Sequence, residues 1–205
     1  NNPHISFVES KWLWTSKDQG QELARQTNLA IERATNPWII SVQADEVLHQ
    51  DEHKRLLEYV NNVPANISGF RLTRLYFFGR SDILRIDWTT NLCRVFRKDS
   101  HVIAGDAMNS RTLWGRVADM HGVSLYHYSR IAPAKEIRDR IVSLSRLFHE
   151  DETMHPPEEY DFVTKKYDSY STDNPPDELD PEDVLMPFSG THPKYIKDWL
   201  ARLEN

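Results

Sequence analysis

Asn28-Leu-Ala-Ile-Glu-Arg-Ala-Thr-Asn-Pro-Trp38-Ile-Ile-Ser-Val-Gln43-Ala-Asp45-Glu46 carries a helical spacing of apolar residues into a short apolar run that stops at two adjacent carboxylates. Pro37 blocks continuation of the helix, and Trp38-Ile-Ile-Ser-Val has the length and apolarity of a buried strand. Asp45 and Glu46 are therefore expected at that strand's carboxyl end, the edge at which open α/β sheets bind ligands. Adjacent carboxylates repel each other, and a divalent cation shared with diphosphate oxygens neutralises both. They equally fit the start of a helix expected near Gln50, where acidic side chains are favoured.

Working outward, His4-Ile-Ser-Phe-Val8 and Lys11-Trp-Leu-Trp14 are β-prone, and Ser16 or Asp18 can cap a helix running to about Ala34. Leu23, Thr27, Ala30, Ile31 and Ala34 share one face of it. Downstream, a helix from Gln50 to Asn61 buries Leu56, Leu57 and Val60. Gly69 to Phe78 and Asn91 to Arg97 read as strands, antiparallel to each other, and the link from Gly79 to Trp88 fits no single element. Val123 to Tyr128 is a further strand. Pro133 opens a helix through about Phe148, with Ile137, Ile141, Leu144 and Phe148 on one face and basic residues on the other. From His149 to Pro187 the chain is rich in Asp, Glu and Pro and reads as an acidic excursion, and His192 to Leu203 closes as an amphipathic helix. This order predicts an α/β protein: a mixed sheet with helices on both faces, antiparallel additions in the second half and C-terminal helices. A single domain is expected over residues 1–205, divided at 1–62, 63–150 and 151–205.

The 205 residues suffice for one substantial core, and 39% hydrophobic content with 22 aromatic residues is that of a globular chain rather than a disordered one. A net charge of -6 argues against non-specific binding to nucleic acid, while a local basic cleft can still attract an anion. The single cysteine, Cys93, cannot form an intrachain disulfide and lies in a strand-like run, which suits a buried thiol and a reducing, cytoplasmic setting. No apolar run reaches membrane-spanning length.

The ordered series of phrases resembles a family 2 glycosyltransferase of the GT-A fold. Members show an Ala-Arg-Asn-x-Gly-Leu helix, an apolar strand and Asp-x-Asp; here Asn28 precedes Gln43 by the same fifteen positions, with Ala30 for the glycine. Thr27 stands at the arginine, Gln43 at the first acidic residue and Asp45 at the second, which in the family is the direct metal ligand. Gly69-Phe, Phe77-Phe-Gly79, Arg94-Val-Phe-Arg97 and Gly105-Asp106-Ala107 resemble the acceptor half of a bacterial and phage-like branch. So do His127-Tyr-Ser-Arg130 before a basic helix and Phe188-Ser-Gly-Thr-His192-Pro near the end. The likeness covers nearly the whole chain, except that only a remnant of the family's opening strand, helix and strand precedes Ser16. The expectation is that the numbering starts inside a longer protein, or that the chain is a truncated form.

The resemblance implies sites for Mn²⁺ or Mg²⁺ at Asp45 and His127, and a donor site at Asn28, Gln43, Glu46 and Arg130. Gln43 can hydrogen-bond a ribose hydroxyl or metal-bound water, and Glu46 suits orienting the loop or an acceptor hydroxyl. Lys135 and Arg138 are further candidates to hold diphosphate, and each also suits a solvated helix face. Asp106 is the candidate general base, which inverting transfer places within reach of the acceptor hydroxyl; Asp82, Asp87 and Asp119 are fallbacks. Trp88, Trp114 and Tyr128 can stack on sugars or simply fill a core. The function so implied is metal-dependent transfer of a sugar from a nucleoside-diphosphate donor to a glycan or other hydroxyl acceptor, with inversion. Two alternatives stay open: a non-catalytic GT-A-like or carbohydrate-binding subunit, and a metal-dependent phosphoester hydrolase using Asp45, His121 and His127.

Overall fold

The structure is a computed structural model that describes residues 5–13, 20–105, 107–132, 136, 139–140, 143 and 185–203. Helix α1 (Gln21–Arg33) leads to strand β1 (Trp38–Ile40), a turn and β2 (Glu46–Leu48); a 3₁₀ turn (Gln50–Glu52) then leads to α2 (His53–Asn61). Strands β3 (Ile67–Phe78), β4 (Arg80–Arg85) and β5 (Thr90–Arg97) follow, then a β6 (His101–Ala104) and β7 (Asn109–Thr112) hairpin, and β8 (Arg116–Arg130). Strand β9 (Leu185–Pro187) and helix α3 (Lys197–Leu203) complete the described elements.

Seven strands form one mixed sheet. β3 is its spine, pairing antiparallel with β4 and β5 on one side and parallel with β8 on the other. β1 extends the sheet beyond β5, β9 beyond β4 and β2 beyond β8, all antiparallel. Neighbouring residues of β5 point to opposite faces: Val95 packs with Leu56 of α2, and Phe96 packs with Ala24 and Ile31 of α1. The two helices therefore cover opposite faces. A third cluster joins Phe77, Tyr126 and Tyr128 to Leu200 of α3. The expected mixed α/β class, the helices on both faces and the antiparallel pairing of β3 with β5 are all present.

The pairing of β3 with β8 contains a large bulge. Arg71 lies opposite Asp119 and Thr73 opposite Ser124, so five positions along β8 pass against two along β3. Gly122 lies within the bulge at φ 73°, a conformation that side chains with a Cβ adopt poorly.

Several elements differ from expectation. Residues 5–13 form no strand; they run exposed beside α1, where Arg25 Nη2 donates to the Lys11 carbonyl at 2.5 Å. β1 is a three-residue strand rather than a five-residue buried one, and Ile40 and Val42 are both exposed. Glu46 opens β2 instead of capping a helix. On α2, Leu56 is buried and Leu57 is 57% exposed, since one residue's rotation carries it past the narrow stripe facing Phe70. Within the stretch read as an acidic excursion, Leu185–Pro187 joins the main sheet. Glu136, Asp139, Arg140 and Ser143 are helical, as the 133–148 reading expects. The rest of that helix, including Lys135 and Arg138, and residues 149–184 lie outside the described residues.

Candidate functional site

A cavity of about 690 Å³ opens where the turn after β1 meets the middle of β3 and the end of β8. Residues 41–45 form one wall, Arg74 and Tyr76 of β3 with His127, Ser129 and Arg130 of β8 form the floor, and Leu23, Gln26 and Thr27 of α1 form a third side. Trp12, Trp88, Arg94, Ala107, Met108 and Arg140 complete the lining.

Backbone pairing brings Asp45 and His127 together. Glu46 of β2 lies opposite His127, and the Tyr128 N–H donates to the Asp45 carbonyl at 2.9 Å, so the turn before β2 is fixed against β8. Asp45 Oδ2 stands 3.5 Å from His127 Nε2, beyond good hydrogen-bonding distance. Cis ligands of an octahedral cation, each at about 2.1 Å from it, sit about 3.0 Å apart, so a slight approach of the two side chains would let them share one cation. The His127 ring is buried against Tyr76, with ring centres 4.6 Å apart. Burial drives its pKa down to about 4, opposed by the Asp45 carboxylate and assisted by Arg74, Arg130 and Arg94. The imidazole is thus neutral at physiological pH. Its Nδ1 lies 3.3 Å from Ser129 Oγ, which in turn lies 3.2 Å from the Tyr76 hydroxyl. With the proton on Nδ1 and shared with Ser129, the Nε2 lone pair faces Asp45.

Glu46 sits behind this wall. Oε1 accepts from Arg94 Nη2 at 3.0 Å and Oε2 accepts from the Gln43 N–H at 2.9 Å, with both charged side chains almost fully buried. Glu46 thereby holds the Gln43–Asp45 turn in shape. Gln43 itself lines the cavity, its amide 3.8 Å from Met108 Sδ. Asn28 is turned elsewhere: its Nδ2 donates to the Ile103 carbonyl at 2.9 Å, and its Oδ1 accepts from the Ile103 N–H at 3.0 Å. This pins α1 to β6 and uses both ends of the amide, while the neighbouring Thr27 reaches the cavity. Arg130 lines the cavity with a buried Nε that has no hydrogen-bond partner.

Asp106 lies outside the described residues. Of its neighbours, Ala107 lines the cavity and holds φ at 64°, a left-handed conformation costly for a residue with a Cβ, and its carbonyl accepts from Arg94 Nη1 at 3.4 Å. Asp82 and Asp87 are paired with Arg80 and Arg85, and Asp119 with Arg71; none of the three lines the cavity. His121 is on the exposed side of the bulge and absent from the lining, and no group of three His, Cys, Asp or Glu side chains able to hold a metal occurs among the described residues. Trp88 lines the cavity, stacked beneath the Arg85 guanidinium at 3.9 Å, whereas Tyr128 belongs to the α3 cluster and Trp114 donates to the Asp99 carbonyl. Cys93 is half-buried, and burial raises its thiol pKa, as expected for an unreactive cysteine.

Arg74 is the prominent residue that sequence reasoning passed over. Phe70, Leu72, Arg74, Tyr76 and Phe78 alternate as buried positions of β3, and the signal was a guanidinium in the middle of an apolar period-two run.

No protein-family profile, curated protein or solved structure matches the chain. No helix among the described residues is long and apolar enough to cross a membrane. In architecture the chain is a mixed α/β protein with a curled sheet and flanking helices, broadly Rossmann-like and GT-A-like.

Proposed function

We propose that the chain is a metal-dependent glycosyltransferase that moves a sugar from a nucleoside-diphosphate donor to a hydroxyl acceptor. The observation that carries this reading is the pair formed by Asp45 and neutral His127, 3.5 Å apart on the wall of a cavity rich in guanidinium groups. An anionic oxygen beside an unprotonated imidazole is a donor set suited to Mn²⁺ or Mg²⁺, and Asp45 and His127 would hold such a cation together with the donor. Bound there, the cation would supply neutralisation of the charge that grows on the departing diphosphate.

The chain's own groups do the rest. Ser129 orients the His127 ring through Nδ1, and Glu46 fixes the turn that presents Asp45. Arg130 and Arg140 offer charge-assisted bonds to phosphate oxygens, and the Gln43 amide can hydrogen-bond the ribose. Asp106 is the proposed base, taking the acceptor proton as the new C–O bond forms on the face opposite the leaving group. Inversion rests on the resemblance described above, and a cytoplasmic setting on the single cysteine, Cys93.

Thermal-shift titration with UDP and GDP sugars, with and without Mn²⁺, tests the reading on the wild type and Asp45→Ala. Stabilisation by one nucleotide that requires Mn²⁺ and vanishes in D45A is the expected result. Equal shifts in both proteins would overturn it.

A further inference from the structure

Four guanidinium groups, those of Arg74, Arg94, Arg130 and Arg140, line the cavity, and among the described residues only Arg94 is matched by a carboxylate, the buried Glu46 at 3.0 Å. Asp45 is the sole carboxylate in the lining among the described residues. Counted over the described residues, the four guanidinium groups stand against two carboxylates, Asp45 and Glu46, an excess of two positive side chains in a chain whose overall charge is -6. A divalent cation raises that excess by two, and the diphosphate of a nucleotide sugar, with one negative charge per phosphate, removes only the same amount. Even with Asp106 charged in full against the site, one positive charge of the described residues is left unanswered.

Arg74 is the most deeply buried of the three that have no carboxylate partner among the described residues, with Arg130 half-buried and Arg140 exposed. Its side chain lies on the cavity floor with only 7% of the residue exposed, and its Nε is buried without a hydrogen-bond partner among the described residues. Its remaining contacts are weak ones: Met108 Sδ at 3.7 Å from Nη1, and the Tyr76 ring with its centre 5.3 Å from Cζ. No carboxylate lies within ion-pair distance of it among the described residues, and burial works against its charge, lowering its pKa. A guanidinium desolvated in this way is costly unless a planar oxyanion meets its fork of donors. The Asp45 to His127 pair lies along the same floor, because Tyr76, two residues beyond Arg74 on β3, is opposite His127 on β8.

We propose that Arg74 reads a second anionic group, a phosphate or carboxylate distinct from the donor's diphosphate, carried by the acceptor. The proposal rests on the transferase reading for the word acceptor, and on the cavity alone for the anion. Arg74 then acts as a specificity-determining residue: an acceptor carrying the oxyanion satisfies its donors, and a neutral analogue leaves a buried charge unmet.

The test measures binding of inorganic phosphate, at constant ionic strength against chloride, to the full chain and to Arg74→Met, Arg74→Lys and the exposed control Arg71→Met. Each protein is titrated both alone and saturated with Mn²⁺ and the nucleotide that stabilises it. The expected result is phosphate binding that persists in the nucleotide complex, weakens at least tenfold in R74M, falls less in R74K and is unchanged in R71M. R74K, which keeps the charge, carries the comparison should R74M fail to fold. Complete displacement of phosphate by nucleotide and Mn²⁺ would assign Arg74 to the diphosphate and overturn the proposal. Phosphate binding equal in R74M and wild type would also overturn it while leaving the transferase reading intact. R74-dependent phosphate binding in a protein that takes no nucleotide would support the anion site and sink the transferase reading. Comparing UDP-glucose with UDP-glucuronate, each with Mn²⁺, separates the sources: an Arg74-dependent preference for glucuronate moves the anion to the transferred sugar and overturns the acceptor assignment.

Discussion

The Glu46 carboxylate meets the Arg94 guanidinium at 3.0 Å with the two side chains 0% and 2% exposed, joining the start of β2 to the middle of β5 beneath the cavity wall. Removing either partner strands the other charge away from water. Glu46→Gln or Arg94→Met is expected to cost about 3–5 kcal/mol of stability, and the paired replacement less than the sum of the two. Urea denaturation of the two single variants and the double variant measures this coupling, and strict additivity would show that the ion pair contributes nothing.

Ser129 stands behind the imidazole that faces Asp45, and its hydroxyl, 3.3 Å from Nδ1, orients the ring. Ser129→Ala is expected to weaken Mn²⁺ binding by at least about tenfold while leaving the fold unchanged. Calorimetric titration of Mn²⁺ in the presence of nucleotide, compared by circular dichroism for integrity, reads both quantities.

Asn28 bonds the Ile103 backbone through both ends of its amide. Asn28→Ala should therefore act on stability, losing about 1–3 kcal/mol, and should free the Ile103 amide to exchange. Hydrogen exchange at β6 discriminates this from a donor-binding role, which would instead show as lost nucleotide affinity at full stability.

Two of the buried histidines contribute to the acid response of the metal-free protein. Burial lowers the pKa of His101, and it lowers that of His127 to about 4, so both stay neutral in the folded state where the unfolded chain would take up protons. Their contribution is intact above the ordinary histidine value and is lost as pH falls below it, for His127 progressively down to about 4. The His127 part amounts to roughly 3 kcal/mol over that interval. Unfolding free energies measured from pH 7 to pH 4 in chelator should fall accordingly, with a shallower fall in His127→Gln.

Much of this architecture was legible in the residues. Period-two alternation from Gly69 to Phe78 and from Asn91 to Arg97 located the two strands whose pairing centres the sheet, and Pro37 marked the break before β1. What escaped was set by partners distant in sequence. Glu46 reads locally as an acidic residue before a helix, and only Arg94, 48 positions on, turns it into a buried brace. Leu57 and Leu56 are alike in type, and the position of Phe70 decides between them. Asn28 sits at the register expected of a donor-binding residue, yet the approach of β6 engages its amide. Arg74 was visible as an interruption of an apolar alternation, but its lack of a counter-charge is a property of the assembled cavity.

The five-against-two bulge in β8 also limits how the chain can vary in length. Side chains of a strand alternate faces, so the residues beyond Gly122 owe their orientation to the number of positions the bulge absorbs. Insertion or deletion of one residue between Met120 and Val123 would rotate the strand's far half by half a period, presenting Tyr126 and Tyr128 to the cavity and sending His127 toward α3. Length changes of two would leave the imidazole in place. Parity, more than sequence identity, is what natural or engineered variants of that loop must keep.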